Sequence, residues 1–274
     1  MEKPDLHANH EHQLNIAKKL STLGYSMVEG GLHPSPGTTF AQKDYIFFGL
    51  VDKVFVTHEA IIHLAEQGYA DDGFSLVRTS AEAIINGAYI LHLGGDAAAA
   101  DYADFHKYRD WVELKEVEKL MPESVKSIPA ERLAQMEKDH EQVKGRYKSS
   151  DWTTLKLPDR ALVIDKAVGE DFYQMRFLYN RPWRHASHHV HGNAKSIQSR
   201  FEEKDGEICI HRRFTREEAA FLLDTANFVM FAQIEILDVG LGVRFKKQHD
   251  ELQAEWLGKA PPKVRHDETG IEEW

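Results

Sequence analysis

From Thr39 to Gln67 the chain reads TFAQKDYIFFGLVDKVFVTHEAIIHLAEQ, and its apolar residues return at helical spacing. Phe40, Ile46, Phe47, Leu50, Val54, Ile61, Ile62 and Leu64 supply the stripe, which predicts one long helix. Such a helix must hide its stripe, and the remainder of the chain is mostly of the same kind. FSLVRTSAEAIINGAYILHLGG predicts a second helix, with Asp71 or Asp72 as cap. Leu76, Ala81, Ile84, Ile85, Ala88 and Leu91 form its apolar face, and Gly94 and Gly95 end it. Two more polar amphipathic helices are expected over 96–121 and 129–148, the latter opened by Pro129. A short helix follows from Pro158 to Ala167. A long final helix runs from Thr215 to Trp256, with Thr215 and Glu218 at capping-box spacing. Only IQSRFEEKDGEICIHRRF reads as strand, two alternating runs about Asp205-Gly206. The expected fold is therefore all-α: a helical bundle with long helices and one small β-hairpin near residues 197–213. Residues 1–37, ending in the loop GGLHPSPG, read as an irregular or loosely helical arm, 38–257 as a single helical domain, and 258–274 as a mobile tail.

Charge and cysteine content narrow the function. The net charge of −10 argues against a protein that coats nucleic acid along its whole surface. The distribution is uneven, however. Between Arg176 and Arg216 nine Lys/Arg face four acids, an excess of five positive charges before five histidines are counted. That segment is either a local anion site on an acidic body or a hairpin with solvated charges. Cys209 is the single cysteine, so neither an intrachain disulfide nor a cysteine-type metal site can form within one chain. The N-terminus is polar and carries no signal peptide. The most apolar run, Phe228 to Val243, contains Glu235 and Asp238, and reads as a buried helix rather than a membrane span. A cytoplasmic location is expected.

Two histidine motifs bear on chemistry. HEAIIH, His58 to His63, has its histidines five apart, so on a helix the rings point roughly 140° apart and cannot share a zinc ion. RPWRHASHHVHGN, residues 181–193, is denser. His185, His188 and His189 stand at i, i+3 and i+4, and His188 and His191 are three apart. Either set offers two imidazoles to a metal, with a further ligand such as Glu82 or Glu59. Pro182 fits a first helical position and Gly192 the residue past the end, so Pro182 to His191 reads as a short helix or a kinked continuation of the one before it. Arg181 and Arg184 would then lie at a positive helix N-terminus, which calls for an anion. Arg184, Ser187, His188 and His191 share one face, and an Arg, a hydroxyl and a histidine in line suit holding a phosphate and moving a proton. The alternative is structural: Arg184 pairs with a buried carboxylate, with Arg78 and Glu82 as partners, and His191 bonds a carbonyl.

RTSAEAIINGAYIL (Arg78 to Leu91) and YNRPWRHASHHVHGN (Tyr179 to Asn193) resemble an uncharacterised, all-helical bacterial family, a domain of unknown function. Its pattern is Arg-x-x-x-Glu followed about a hundred residues later by Ser-x-x-Val-His-Gly, here Arg78, Glu82, Ser187, Val190, His191 and Gly192. The likeness spans roughly residues 40 to 245. That family in turn is distantly similar to the HEPN superfamily, helical ribonucleases and nucleotide-binding proteins of toxin–antitoxin and phage-defence systems. Their hallmark is Arg, four to six residues, then His. Arg184 meets it with His189 at the four-residue spacing and with His191 at the six-residue one. The resemblance implies a metal-independent endoribonuclease without cofactor, acting on RNA as a homodimer, with an antitoxin or defence-system partner and no membrane. Arg184, His191, His188 and Ser187 would be catalytic, and Arg78, Glu82, His185 and His189 supporting. A non-catalytic helical partner-binding or regulatory subunit and a His-rich metal-dependent hydrolase are the alternatives.

Overall fold

A computed structural model of the chain describes residues 7–31, 40–147, 151–168, 174–190, 197, 201–204, 206–210, 215–241 and 245–259. The fold is all-α, as the periodicity predicts. In chain order come α1 (His10–Gly31), α2 (Gln42–Glu66) and α3 (Ala70–Tyr89); a π turn (Ile90–Gly94); and α4 (Gly95–Leu120), α5 (Pro122–Lys126), α6 (Ala130–Val143), α7 (Leu157–Val168) and α8 (Met175–Leu178). A second π turn (Tyr179–Trp183) leads into α9 (Arg184–Val190). The hairpin β1 (Phe201–Lys204) and β2 (Glu207–Ile210) precedes α10 (Arg216–Leu241) and α11 (Lys246–Trp256). Two compact units are present: residues 1–36, 52–84 and 180–274 form the first, and 37–51 and 85–179 the second.

In the first unit α1 packs against α10, with Ile16, Ala17 and Leu20 buried from its side and Leu223, Met230 and Phe231 from the other. Within the stretch read as a loosely helical arm, His10–Gly31 is a continuous helix with Ile16, Ala17, Leu20 and Met27 buried in the core. Buried Asn227 of α10 ties the pair together by donating to the Gln13 carbonyl (3.0 Å) and to Gln13 Oε1 (2.9 Å). Two glycines set how closely helices approach. A Cβ on Gly24 would stand 2.7 Å from the Phe55 ring, and one on Gly73 of α3 would collide with buried Leu222 of α10.

The N-terminus of α10 is capped reciprocally, as the sequence predicts. Thr215 N donates to Glu218 Oε2 (2.8 Å), and Glu218 N donates to Thr215 Oγ1 (3.2 Å). The expected single helix to Trp256 is instead two: α10 ends at Leu241 and α11 begins at Lys246. Chain reversal returns α11 onto α1 and α10, where Lys19 pairs with Glu255 (2.7 Å) and Trp256 Nε1 donates to Asp224 (2.8 Å). The segment Arg216–Leu237 is apolar and long enough to cross a membrane, yet it is mostly buried inside this unit, as a core helix is.

The hairpin pairs antiparallel, with Phe201 opposite Ile210 and Lys204 opposite Glu207. Gly206 takes the left-handed φ of +82° that the turn needs. Residues 260–274, expected as a tail, lie outside the described residues, as does Asp205 of the turn.

The second unit rests on α4, against which α5 and α6 pack. Gly95, at φ +58°, ends the helical run of α3 and its π turn, and α4 starts there at once. Arg146 bridges Asp101 (2.6 Å) and Asp104 (2.7 Å) of α4, and the Tyr147 hydroxyl donates to the Asp101 carbonyl (2.8 Å). In α7, Arg160 is almost wholly buried, 2.9 Å from Asp151 and stacked 5.0 Å from the Trp152 ring centre. The Asp165 carboxylate accepts from the backbone N–H groups of Met175 (2.6 Å) and Arg176 (3.1 Å), and so caps α8.

Candidate active site

Asp71, Phe74, Arg78 and Glu82 are spaced three, four and four along α3, and so share one helical face. Against that face lie the second π turn and α9. Pro182, inside the π turn, has no N–H to give a tight α-helical ladder, and the wider turn accommodates it. The helix therefore does not begin at Pro182. It is the kinked continuation of α8, and Arg184 follows a helical turn rather than occupying a free, positive N-terminus.

The two segments meet in opposite chain directions. At one end Trp183 takes the Arg78 guanidinium over its ring, 4.8 Å from the centre, and its Nε1 donates to Glu82 Oε2 at 3.4 Å. In the middle Phe74 meets His185 edge-on at 5.2 Å and stacks on His189 at 4.4 Å, with the planes 19° apart. Phe221 of α10 closes the other side of His185 at 5.1 Å. At the far end His189 Nδ1 lies 2.5 Å from Asp71 Oδ1, and the two side chains are only 15% and 12% exposed. A carboxylate accepts only, so Nδ1 carries the proton and Nε2 is left as the basic nitrogen.

The residues expected to be supporting, Arg78, Glu82, His185 and His189, are the ones brought together. Of the expected catalytic set, Arg184 and His188 stand four apart on the exposed side of α9. Among the described residues no carboxylate pairs with Arg184, and Glu82 is turned to Trp183 instead. Ser187 Oγ is turned back along the helix, donating to the Trp183 carbonyl (2.8 Å). His188 is exposed. His191 and Gly192 lie outside the described residues, and with them the expected Arg184–His191 pairing. Asp71, Phe74, Trp183 and Phe221 were missing from the sequence-based site. Asp71 was expected as a helix cap, but α3 begins at Ala70, and the carboxylate is instead spent on an imidazole 118 residues away.

The other histidine motif separates as its spacing predicts. His63 is in solvent, with its side chain 80% exposed, while His58 is buried. The His58 Nδ1 stands 3.3 Å from Ser21 Oγ, its Nε2 has no partner among the described residues, and burial pushes the imidazole down to about 4. Among the described residues no three His, Cys, Asp or Glu side chains gather closely enough to hold a metal ion.

DUF5677, a family of unknown function, matches residues 44–208. The chain belongs to this family. The matched span contains α3, the second π turn and α9, whereas Phe221 comes from beyond it. No curated protein and no solved structure matches the chain.

Proposed function

We propose that this DUF5677 protein is a HEPN-like, metal-independent endoribonuclease of the cytosol, working as a homodimer in a toxin–antitoxin or phage-defence setting. The observation that carries the reading is the Asp71–His189 pair, an imidazole oriented by a carboxylate on the same helix pair as two arginines. His189 also closes the Arg-x4-His spacing from Arg184. In this reading His189 Nε2 takes the proton of a ribose 2′-hydroxyl. The 2′-oxygen bonds to the adjacent phosphorus, and the bond from phosphorus to the 5′-oxygen breaks, leaving a 2′,3′-cyclic phosphate. A second imidazole, His188 or His191, protonates the departing 5′-oxygen. Arg184 lies five residues from His189 and so about 140° round the same helix, and in the homodimer it would be the partner subunit's Arg184 that offsets the charge building on the phosphoryl oxygens.

Purified protein incubated with total RNA in EDTA tests this. The wild type should cut, and His189→Asn, Arg184→Ala and His191→Ala should each slow cutting by about a hundredfold or more. Intact RNA with the wild type, or equal cutting by all four proteins, removes the proposal. A second reading, a non-catalytic partner-binding module, is favoured by the way His185 and His189 pack against Phe74 as core aromatics do. It predicts that His189→Asn lowers the melting temperature and alters no activity.

A further inference from the structure

Arg78 lies half-buried on the inner face of α3, its guanidinium carbon over the Trp183 ring at 4.8 Å from the centre. Its Nε is shut away from solvent and has no hydrogen-bond partner among the described residues. Among the described residues no carboxylate comes within 4.0 Å of the guanidinium. The nearest answer in sequence is Glu82, four residues on, the position from which an acid ordinarily pairs with an arginine on a helix. Glu82 is instead turned to the indole N–H of Trp183. A cation drawn partly out of water without an anion is costly, and a stacked ring offsets only part of that cost. The ring covers one side of the guanidinium. The N–H groups along the edge stay available, in the fork that matches two oxygens of a phosphate.

We infer that Arg78, set over the Trp183 ring with no carboxylate partner among the described residues, is a subsite for a phosphate oxyanion. The assignment deepens the nuclease reading, because it names the group of RNA that this helix pair would hold beside His189. It also stands apart from cleavage, since an arginine can bind phosphate where no bond is broken. A phosphodiester of RNA, a nucleotide's phosphomonoester and inorganic phosphate share this chemistry.

Calorimetric titration of the full chain at matched ionic strength distinguishes them, with three probes: inorganic phosphate, adenosine 5′-monophosphate, and the deoxydinucleotide d(ApA), which lacks the 2′-hydroxyl and so is not cut. One saturable site is expected, weakened by about tenfold in Arg78→Gln and by less in Arg78→Lys. Tighter binding of d(ApA) assigns the site to a nucleic-acid backbone, and tighter binding of the monophosphate assigns it to a nucleotide. Melting curves in phosphate-free buffer guard against a folding artefact. Arg78→Gln should melt no lower than the wild type, since the ring contact it gives up is offset by removing a charge that no carboxylate among the described residues answers, and only the wild type should gain stability when phosphate is added. Equal affinity in the wild type and Arg78→Gln, no saturable binding of any probe, or a lower melting temperature for Arg78→Gln in phosphate-free buffer would overturn the inference. Binding through Arg78 without RNA cleavage would sink the nuclease reading and keep the subsite; cleavage with no Arg78-dependent binding would do the reverse.

Discussion

Arg160 in the second unit and Arg78 in the first are built alike up to one missing group. Each lays its guanidinium over a tryptophan, at 5.0 Å and 4.8 Å, and each has a buried Nε without a partner. Arg160 is nevertheless answered: two of its nitrogens reach the Asp151 carboxylate, at 2.9 and 3.2 Å. Arg78 is not. The same contrast separates two histidines. His189 has Asp71, whereas His58 keeps an unbonded Nε2 in a pocket lined by Val54, Ile61, Val77, Met230 and the equally unpartnered Ser80 hydroxyl. Position decides what an unanswered group means. In the dry core His58 can shed its proton and stay neutral. Arginine cannot, so a half-buried unpaired guanidinium keeps its charge and is poised for an anion from outside.

The largest effect should come from breaking the answered pair. Asp151→Ala leaves Arg160 charged, nearly solvent-free and alone, and should cost about 3 kcal/mol of stability by denaturant unfolding. Replacing both partners, Arg160→Met with Asp151→Asn, should recover most of that loss, because no orphaned charge remains. A loss below about 1 kcal/mol for Asp151→Ala would mean that the two arginines are equivalent after all, and that the lack of a carboxylate at Arg78 signals nothing.

Next comes His58. Its folded-state value of about 4 lies below the ordinary 6.5, so between those values the unfolded chain binds the extra proton. The contribution is complete above pH 6.5 and falls away as the pH drops toward 4. Between pH 7 and pH 5 the wild type should lose about 2 kcal/mol more than His58→Leu, read as the difference between their unfolding midpoints at the two pH values. Parallel pH profiles for the two proteins would show that His58 finds a partner on protonation.

How much of this could be read from sequence differs between backbone and site. Helical periodicity gave the fold class and most element positions, and the Thr215–Glu218 cap and the Gly206 turn formed where their local chemistry demands. These depend on neighbours in the chain. The facing of α9 does not. A regular helix opened by Pro182 would aim Arg184, Ser187 and His188 along one functional face. The π turn widens the coil just before Arg184 and so sets which side of α9 meets α3. Arg184 and His188 stay on the exposed side, while His185 and His189 turn inward to α3. The Asp71–His189 contact joins residues 118 apart, and nothing local marks Asp71 as more than a helix-start acid. The stripe Ile16, Leu20, Leu23 and Met27 that buries α1 is present in the sequence, but the histidines and asparagines before it give that end the look of a polar arm.

The smallest expected effect tests why Arg78 is left unpaired. Trp183 does two things at once: its ring lies under the guanidinium, and its Nε1–H holds Glu82 aside. Trp183→Phe keeps an aromatic face and removes the N–H. Glu82 is then free to turn one helical step back to Arg78, an i,i+4 pair that adds about 0.3–0.5 kcal/mol and offsets part of the lost packing. The melting temperature should therefore move little, on the order of 1 kcal/mol or less. Phosphate affinity should nonetheless fall several-fold, since the guanidinium is now neutralised from within. Adding Glu82→Gln to Trp183→Phe should restore that affinity, because the competing carboxylate is gone. If the double variant binds phosphate no better than the single one, Glu82 is not what Trp183 holds back, and the ring alone prepares Arg78 for its anion.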